Sequence, residues 1–160
     1  MQVTDVTAAC LTDVLALNET AVPHVSSLDL DALRWFSEHA TYFRVVRIDR
    51  RLAGFLIGLG PGIDYASPNY QWFRQKHELF GYVDRVAVAP EARRLGVGSL
   101  LYDDFAATLR GYAPVMTCEV NIRPPNESSM AYHEHHGFRR VATQETEGGA
   151  KEVALLEKRI

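Results

Sequence analysis

Residues 86–105 read VAVAPEARRLGVGSLLYDDF. A β-branched apolar run stops at Pro90, two arginines follow, and Gly96 and Gly98 open a helix. The helix carries Leu100, Leu101, Phe105 and Leu109 on one stripe. The mostly apolar character of residues 83–89 predicts a strand buried on both faces. A helix N-terminus presents unpaired N–H groups and a partial positive charge. Glycines there let a phosphate approach the backbone, and Arg93 and Arg94 add charged donors matched to phosphate oxygens. The same residues also suit plain packing, with glycines admitting the helix onto the strand and arginines in solvent. The pattern alone leaves both readings open, but it excludes two others. There is no G-x-x-x-x-G-K-[ST] loop, and Leu101 stands where a dinucleotide fingerprint needs its third glycine.

Working outward, MQVTDVTA alternates as a short strand, and CLTDVLALNETAV sets Leu11, Val14, Leu15 and Leu17 at helical spacing until Pro23 ends the helix. SSLDLDALRWFSEHA is a second helix with Ser27 or Asp29 as its cap. TYFRVVRID and RLAGFLIGLG flank the polar turn Asp49-Arg50-Arg51 and predict an antiparallel hairpin. The connection after it is rich in Pro, Gly, Asn and aromatics, with a helical turn at 69–77. Downstream, Gly111 suits the position just past a helix. APVMTCEVN is a further strand, RPPN a rigid turn, and ESSMAYHEHH a short helix stopped by Gly137. GFRRVATQET and AKEVALLEKRI close the chain as an antiparallel pair. No repeat or linker interrupts residues 1–160, so the expectation is one domain of mixed α/β class, a mixed sheet with helices on both faces.

Composition bounds the function. The chain has 160 residues, 47% hydrophobic and 23% charged, in the range of soluble globular proteins. Its net charge of −3 argues against a broad grip on nucleic acid. Cys10 and Cys118 match no metal or disulfide spacing, which suits a reducing compartment. Neither a signal-like start nor an apolar run of about 18 residues occurs. The expected location is therefore cytoplasmic, with no membrane partner. HEHH at 133–136 lacks the H-E-x-x-H spacing, because Gly137 stands where a histidine is required, so no metal is expected. YQWFR, with Tyr65 and Tyr70, suits an acceptor-pocket wall or loop packing better than base stacking. Strand edges near the C-terminus allow a homodimer.

Arg93-Arg94-Leu95-Gly96-Val97-Gly98 resembles the [QR]-x-x-G-x-[GA] signature of the GNAT superfamily of acyl-CoA N-acyltransferases. YVDRVAVAP is similar to the strand before that signature and SLLYDDFAATLR to its helix. CEVN, Asn126 and AYHEHHGF are similar to the next strand, asparagine turn and helix ending in Gly-Phe. The resemblance implies a mostly antiparallel sheet of about seven strands, splayed between the fourth and fifth. It implies a coenzyme A site as well, with diphosphate on the N–H groups of Arg93, Arg94, Leu95, Gly96, Val97, Gly98 and Ser99. The pantetheine arm would lie along the main chain of Val86, Ala87 and Val88, with Asn126 touching it. Asn126 also suits a helix cap.

Amine attack on a thioester needs a base for the ammonium proton and an acid for the leaving thiolate. The resemblance implies a tyrosine acid four residues before Gly-Phe, but this chain has His133 there, with Tyr132 about 100° round the helix. His133 is the candidate acid, and a surface histidine is its bland alternative. Glu119 is the first candidate base and Asp84 the second, the latter also suited to an ion pair with Arg85 or Arg123. Cys118 fits a buried apolar site better than a covalent role. The expected function is transfer of an acetyl group from acetyl-CoA to a primary amine, small or peptide-borne, through a ternary complex. Asp64 and Glu78 are available to attract a cationic amine. The alternatives are a non-catalytic acyl-CoA-binding sensor, favoured by the missing tyrosine, and an interaction domain without cofactor.

Overall fold

Each predicted periodicity becomes an element in the computed structural model, which describes Met1–Ile160. The strands are β1 (Gln2–Asp5), β2 (Tyr42–Ile48), β3 (Arg51–Leu59), β4 (Gly81–Val88), β5 (Val115–Arg123), β6 (Arg139–Thr146) and β7 (Lys151–Arg159). The helices are α1 (Leu11–Thr20), α2 (Leu30–His39), α3 (Pro68–Lys76), α4 (Val97–Leu109) and α5 (Glu127–His135). Strands hydrogen-bond in the order β1-β2-β3-β4-β5-β7-β6. The sheet is mostly antiparallel, with β4 and β5 parallel. The β4–β5 pairs Gly81↔Met116 and Tyr82↔Thr117 lie at the start of both strands, as a splayed pair requires. No helix is long and apolar enough to cross a membrane.

The chain divides into two compact units, Met1–Leu59 with Asp84–Thr108, and Gly60–Val83 with Leu109–Ile160. In the first, the β2–β3 hairpin turns on Asp49 and Arg50, both with positive φ (49° and 66°), and Arg51 already belongs to β3. A two-residue turn with both φ positive matches the twist of the strands it joins, which is why the turn is one residue shorter than the polar run. Helix α2 is capped by Asp29, which accepts the Ala32 N–H at 2.8 Å. Helix α4 lies close on β3. A Cβ on Gly54 would stand 2.7 Å from Val97 Cγ1, and one on Gly58 would stand 2.5 Å from Phe105 Cζ. Asp104 on the same helix takes the Tyr42 hydroxyl at 2.8 Å and Arg44 Nη1 at 2.7 Å, tying α4 to β2.

In the second unit, neighbouring residues of β4 point to opposite faces and meet different helices. Gly81 abuts Leu109 at the end of α4, while the Tyr82 ring packs edge-on to Tyr70 of α3, centroids 5.6 Å apart, and beside Phe73. Helix α3 is further held by Glu157 of β7, a buried carboxylate that takes Lys76 Nζ at 2.9 Å and His77 Nε2 at 2.5 Å. Burial by itself pushes the Glu157 carboxyl up, but the bonds to His77 and Lys76 outweigh it and hold the group below its ordinary value.

Candidate functional site

Strand β4 ends through Ala89, whose N–H donates to the Ala53 carbonyl at 2.8 Å. Pro90 then starts a 3-10 turn, Pro90–Ala92, a position where its missing N–H costs nothing. Arg94 (φ 64°) and Gly96 (φ 82°) take left-handed conformations and swing the chain into α4, whose first residue, Val97, is buried. Arg93, Arg94, Leu95 and Gly96 are all exposed. A Cβ on Gly96 meets nothing within 4 Å, so open space adjoins the start of the helix. Within a helix the first N–H groups have no partner of their own and carry the positive end of the dipole. Bare backbone, open space and two arginines together fit a phosphate-bearing group. In β4 itself, half-buried Val86 and Val88 alternate with buried Ala87.

Asp84 lies in an ion pair with Arg85, the partner weighed for it from sequence. The Arg85 Nε stands 2.8 Å from Asp84 Oδ2, and the two side chains are 5% and 4% exposed. The guanidinium continues to Asn18 Oδ1 at 3.0 Å and to the carbonyl and hydroxyl oxygens of Ser26 at 2.9 and 3.0 Å. It therefore straps the α1–α2 connection to β4. Removing one partner of such a buried pair costs about 3–5 kcal/mol.

The second unit carries the other predicted residues. Thr117, Glu119 and Asn121 alternate onto one face of β5. The Thr117 hydroxyl donates to the Gly81 carbonyl at 3.0 Å. The Tyr82 hydroxyl reaches both carboxylate oxygens of Glu119, at 2.9 and 2.7 Å, and can donate to one at a time. Asn121 is buried, and its Nδ2 has no hydrogen-bond partner. Asn126 caps α5, accepting the Ser129 N–H at 3.3 Å. Cys118 is buried, which pushes its thiol well up and suits packing rather than nucleophilic chemistry.

His133 is buried too, its Nδ1 2.7 Å from the Ser129 carbonyl and its ring edge-on to Phe138. Burial lowers its pKa, and His136 lowers it further against an opposing push from the Ser129 carbonyl. The neutral ring is thus the resident form near pH 7. Its Nδ1–H donates to Ser129, which leaves Nε2 as an acceptor. Tyr132 stacks on His136, centroids 4.1 Å apart.

The sign for stability follows. A histidine whose folded value is depressed contributes stability that is complete above its ordinary 6.5 and is lost as pH falls through the folded value. Glu157 acts in the same direction below about 4.5. The melting temperature is therefore expected to fall from pH 6.5 downward. A His133→Leu variant, less stable at pH 7, should lose less between pH 6.5 and 5 than the parent. Parallel slopes in thermal melts across that window would show that His133 does not carry the effect.

The sequence pointed to Glu119, His133, Asp84 and the 93–99 loop but missed Tyr82, Arg85 as a strap, and Asn121. The family resemblance implied that the strands of Tyr82 and Glu119 are neighbours, yet only the register Tyr82↔Thr117 brings the phenol to the carboxylate.

Residues 11–138 match the model of the acetyltransferase (GNAT) family. No curated protein matches the chain. Among solved structures, Ard1 from Thermoplasma volcanium superposes with a TM-score of 0.80 at 15% identity, covering 99% of this chain and 97% of that one. Naa20 from Chaetomium thermophilum, in complex with a bisubstrate analogue, gives 0.77 at 19%, covering 100% and 87%. A ribosomal-protein-alanine N-acetyltransferase from Brucella melitensis gives 0.74 at 20%, covering all of both chains. These likenesses show the fold, and the family match shows the membership: this chain belongs to the GNAT acetyltransferase family.

Proposed function

We propose that the protein transfers the acetyl group of acetyl-CoA to a primary amine within a ternary complex. The observation that carries the reading is the open backbone at Gly96, set between two exposed arginines and the first turn of α4. Residues Arg93 to Ser99 would hold the diphosphate, the main chain of Val86, Ala87 and Val88 the pantetheine arm, and Asn126 its flank. Acetyl-CoA, when bound, supplies the activated thioester. Glu119 is the base: its carboxylate, held by the Tyr82 hydroxyl, takes the proton of the incoming ammonium. Asp84, committed to Arg85, is the weaker candidate. His133 donates a proton only when charged, and its lowered pKa makes that form scarce at neutral pH. Delivery of a proton to the leaving thiolate therefore falls to solvent near pH 7, and to His133 only at lower pH.

The bisubstrate analogue bound to Naa20 supports direct transfer between two bound reactants. The activity named for the Brucella structure makes alanine-ended peptides natural members of an acceptor panel. A non-catalytic sensor is the second reading, and the neutral, packed His133 is what favours it. Calorimetry with acetyl-CoA, run beside thiol-release assays over amines and short peptides, tests both. Binding with turnover is expected. Binding with no turnover on any acceptor would favour the sensor, and absence of binding would defeat the cofactor assignment.

A further inference from the structure

The polar ladder of β5 is satisfied at two positions and open at the third. Thr117 spends its hydroxyl on Gly81 and Glu119 its carboxylate on Tyr82, but the Asn121 Nδ2, in a residue only 9% exposed, has no partner. A buried donor left unpaired is costly, and proteins rarely keep one without a use. The backbone already uses Asn121: its carbonyl accepts the Asn126 N–H at 3.1 Å, bracing the turn into α5. That contact needs no particular side chain, so it does not explain the amide.

The surroundings narrow the ligand. Asn121 pairs in register with Val153 of β7, and Glu119 with Leu155, both buried and apolar. A single neutral donor among apolar neighbours suits a neutral oxygen. The Glu119 carboxylate, two residues back on the same face and about 7 Å along the strand, repels phosphate and carboxylate alike. An amide or thioester carbonyl is what remains. We infer that Asn121 is a binding residue, its Nδ2–H donating to a carbonyl oxygen of a reactant bound beside Glu119. The inference rests on the acetyltransferase reading. The oxygen belongs either to the acyl-CoA arm or to an acceptor whose carbonyl adjoins its amine, as in an α-amino amide. In the second case the amine faces Glu119 while the carbonyl faces Asn121.

The test uses the full chain, acetyl-CoA and alaninamide, with Asn121→Val and Asn121→Asp. Valine favours a strand and removes the donor, whereas aspartate keeps the shape and replaces the donor with an acceptor. Calorimetry gives the affinity for acetyl-CoA, and then for alaninamide in the protein loaded with CoA. Both variants should weaken one of the two affinities by about tenfold, and which one it is names the source of the oxygen. Asn121→Val should melt at or above the wild-type temperature, since it removes an unpaired buried donor. If wild type binds acetyl-CoA and neither variant alters that affinity, while alaninamide binding is absent or unaltered, the subsite is overturned and the acetyltransferase reading stands. If wild type does not bind acetyl-CoA at all, both fall together.

Discussion

Gly96→Glu is expected to weaken acetyl-CoA binding by at least about a hundredfold. The glycine adjoins open space, so a side chain there does not clash with the protein and instead enters the region where the diphosphate would lie. Glutamate adds bulk and a negative charge at the positive end of α4, between Arg94 and the first helical N–H groups. Backbone strain must be separated from this effect, because φ at Gly96 is 82° and an L-residue in that region pays about 1–2 kcal/mol. Gly96→Ala serves as the control. It carries the strain with only a methyl group, so it should cost stability while largely keeping affinity. Calorimetry and thermal melts on the two variants decide the matter. Equal affinity in wild type and Gly96→Glu would return the glycine to a packing role.

Glu119→Gln should cut turnover by about 10²–10⁴-fold while leaving the affinity for acetyl-CoA near its wild-type value. Glutamine is isosteric and its amide oxygen still accepts from Tyr82, so the aromatic packing around Tyr70 and Phe73 is undisturbed. What disappears is the group proposed to accept the amine proton. Tyr82→Phe makes a milder change: the carboxylate stays but loses its holder, so kcat should fall by about tenfold with acetyl-CoA affinity unaltered. Thiol release under saturating acetyl-CoA reads both. Full activity in Glu119→Gln would move the base elsewhere, with Asp84 next to be tested.

The architecture was legible because its signals are local. Alternation or apolar runs marked the strands, and Asp29 and Asn126 marked helix starts. The glycine turn at Gly96 and the helix stop at Gly111 were readable for the same reason, both having positive φ. The site was legible only in its first half. The candidate loop at 93–99 is one continuous stretch, and its residue types by themselves suit a phosphate-bearing group. The Tyr82–Glu119 contact depends on strand register, which no single stretch records. Asn121 was invisible for another reason: an asparagine on a strand reads as a weak spot until its neighbours are seen to be apolar and its donor unpaired. His133 was weighed as an acid or as a surface histidine, and neither reading foresaw the burial, with Phe138 edge-on to the ring, that lowers its pKa.

The two glycines of β3 carry a consequence for how this site is able to vary. Because neither Gly54 nor Gly58 has a side chain, α4 beds down almost onto the strand backbone, with Val97 over one gap and Phe105 over the other. The height of the helix start is therefore set by a strand far upstream rather than by the loop leading into it. Residues 93–95, all solvent-facing, are free to change without disturbing that seat, and under the proposed function they would tune which anion is held. A single methyl at Gly54 lifts Val97 or pushes against the Ala87 carbonyl at 3.0 Å, displacing the start of the helix. Tuning belongs to the loop, and alignment to the bed beneath it.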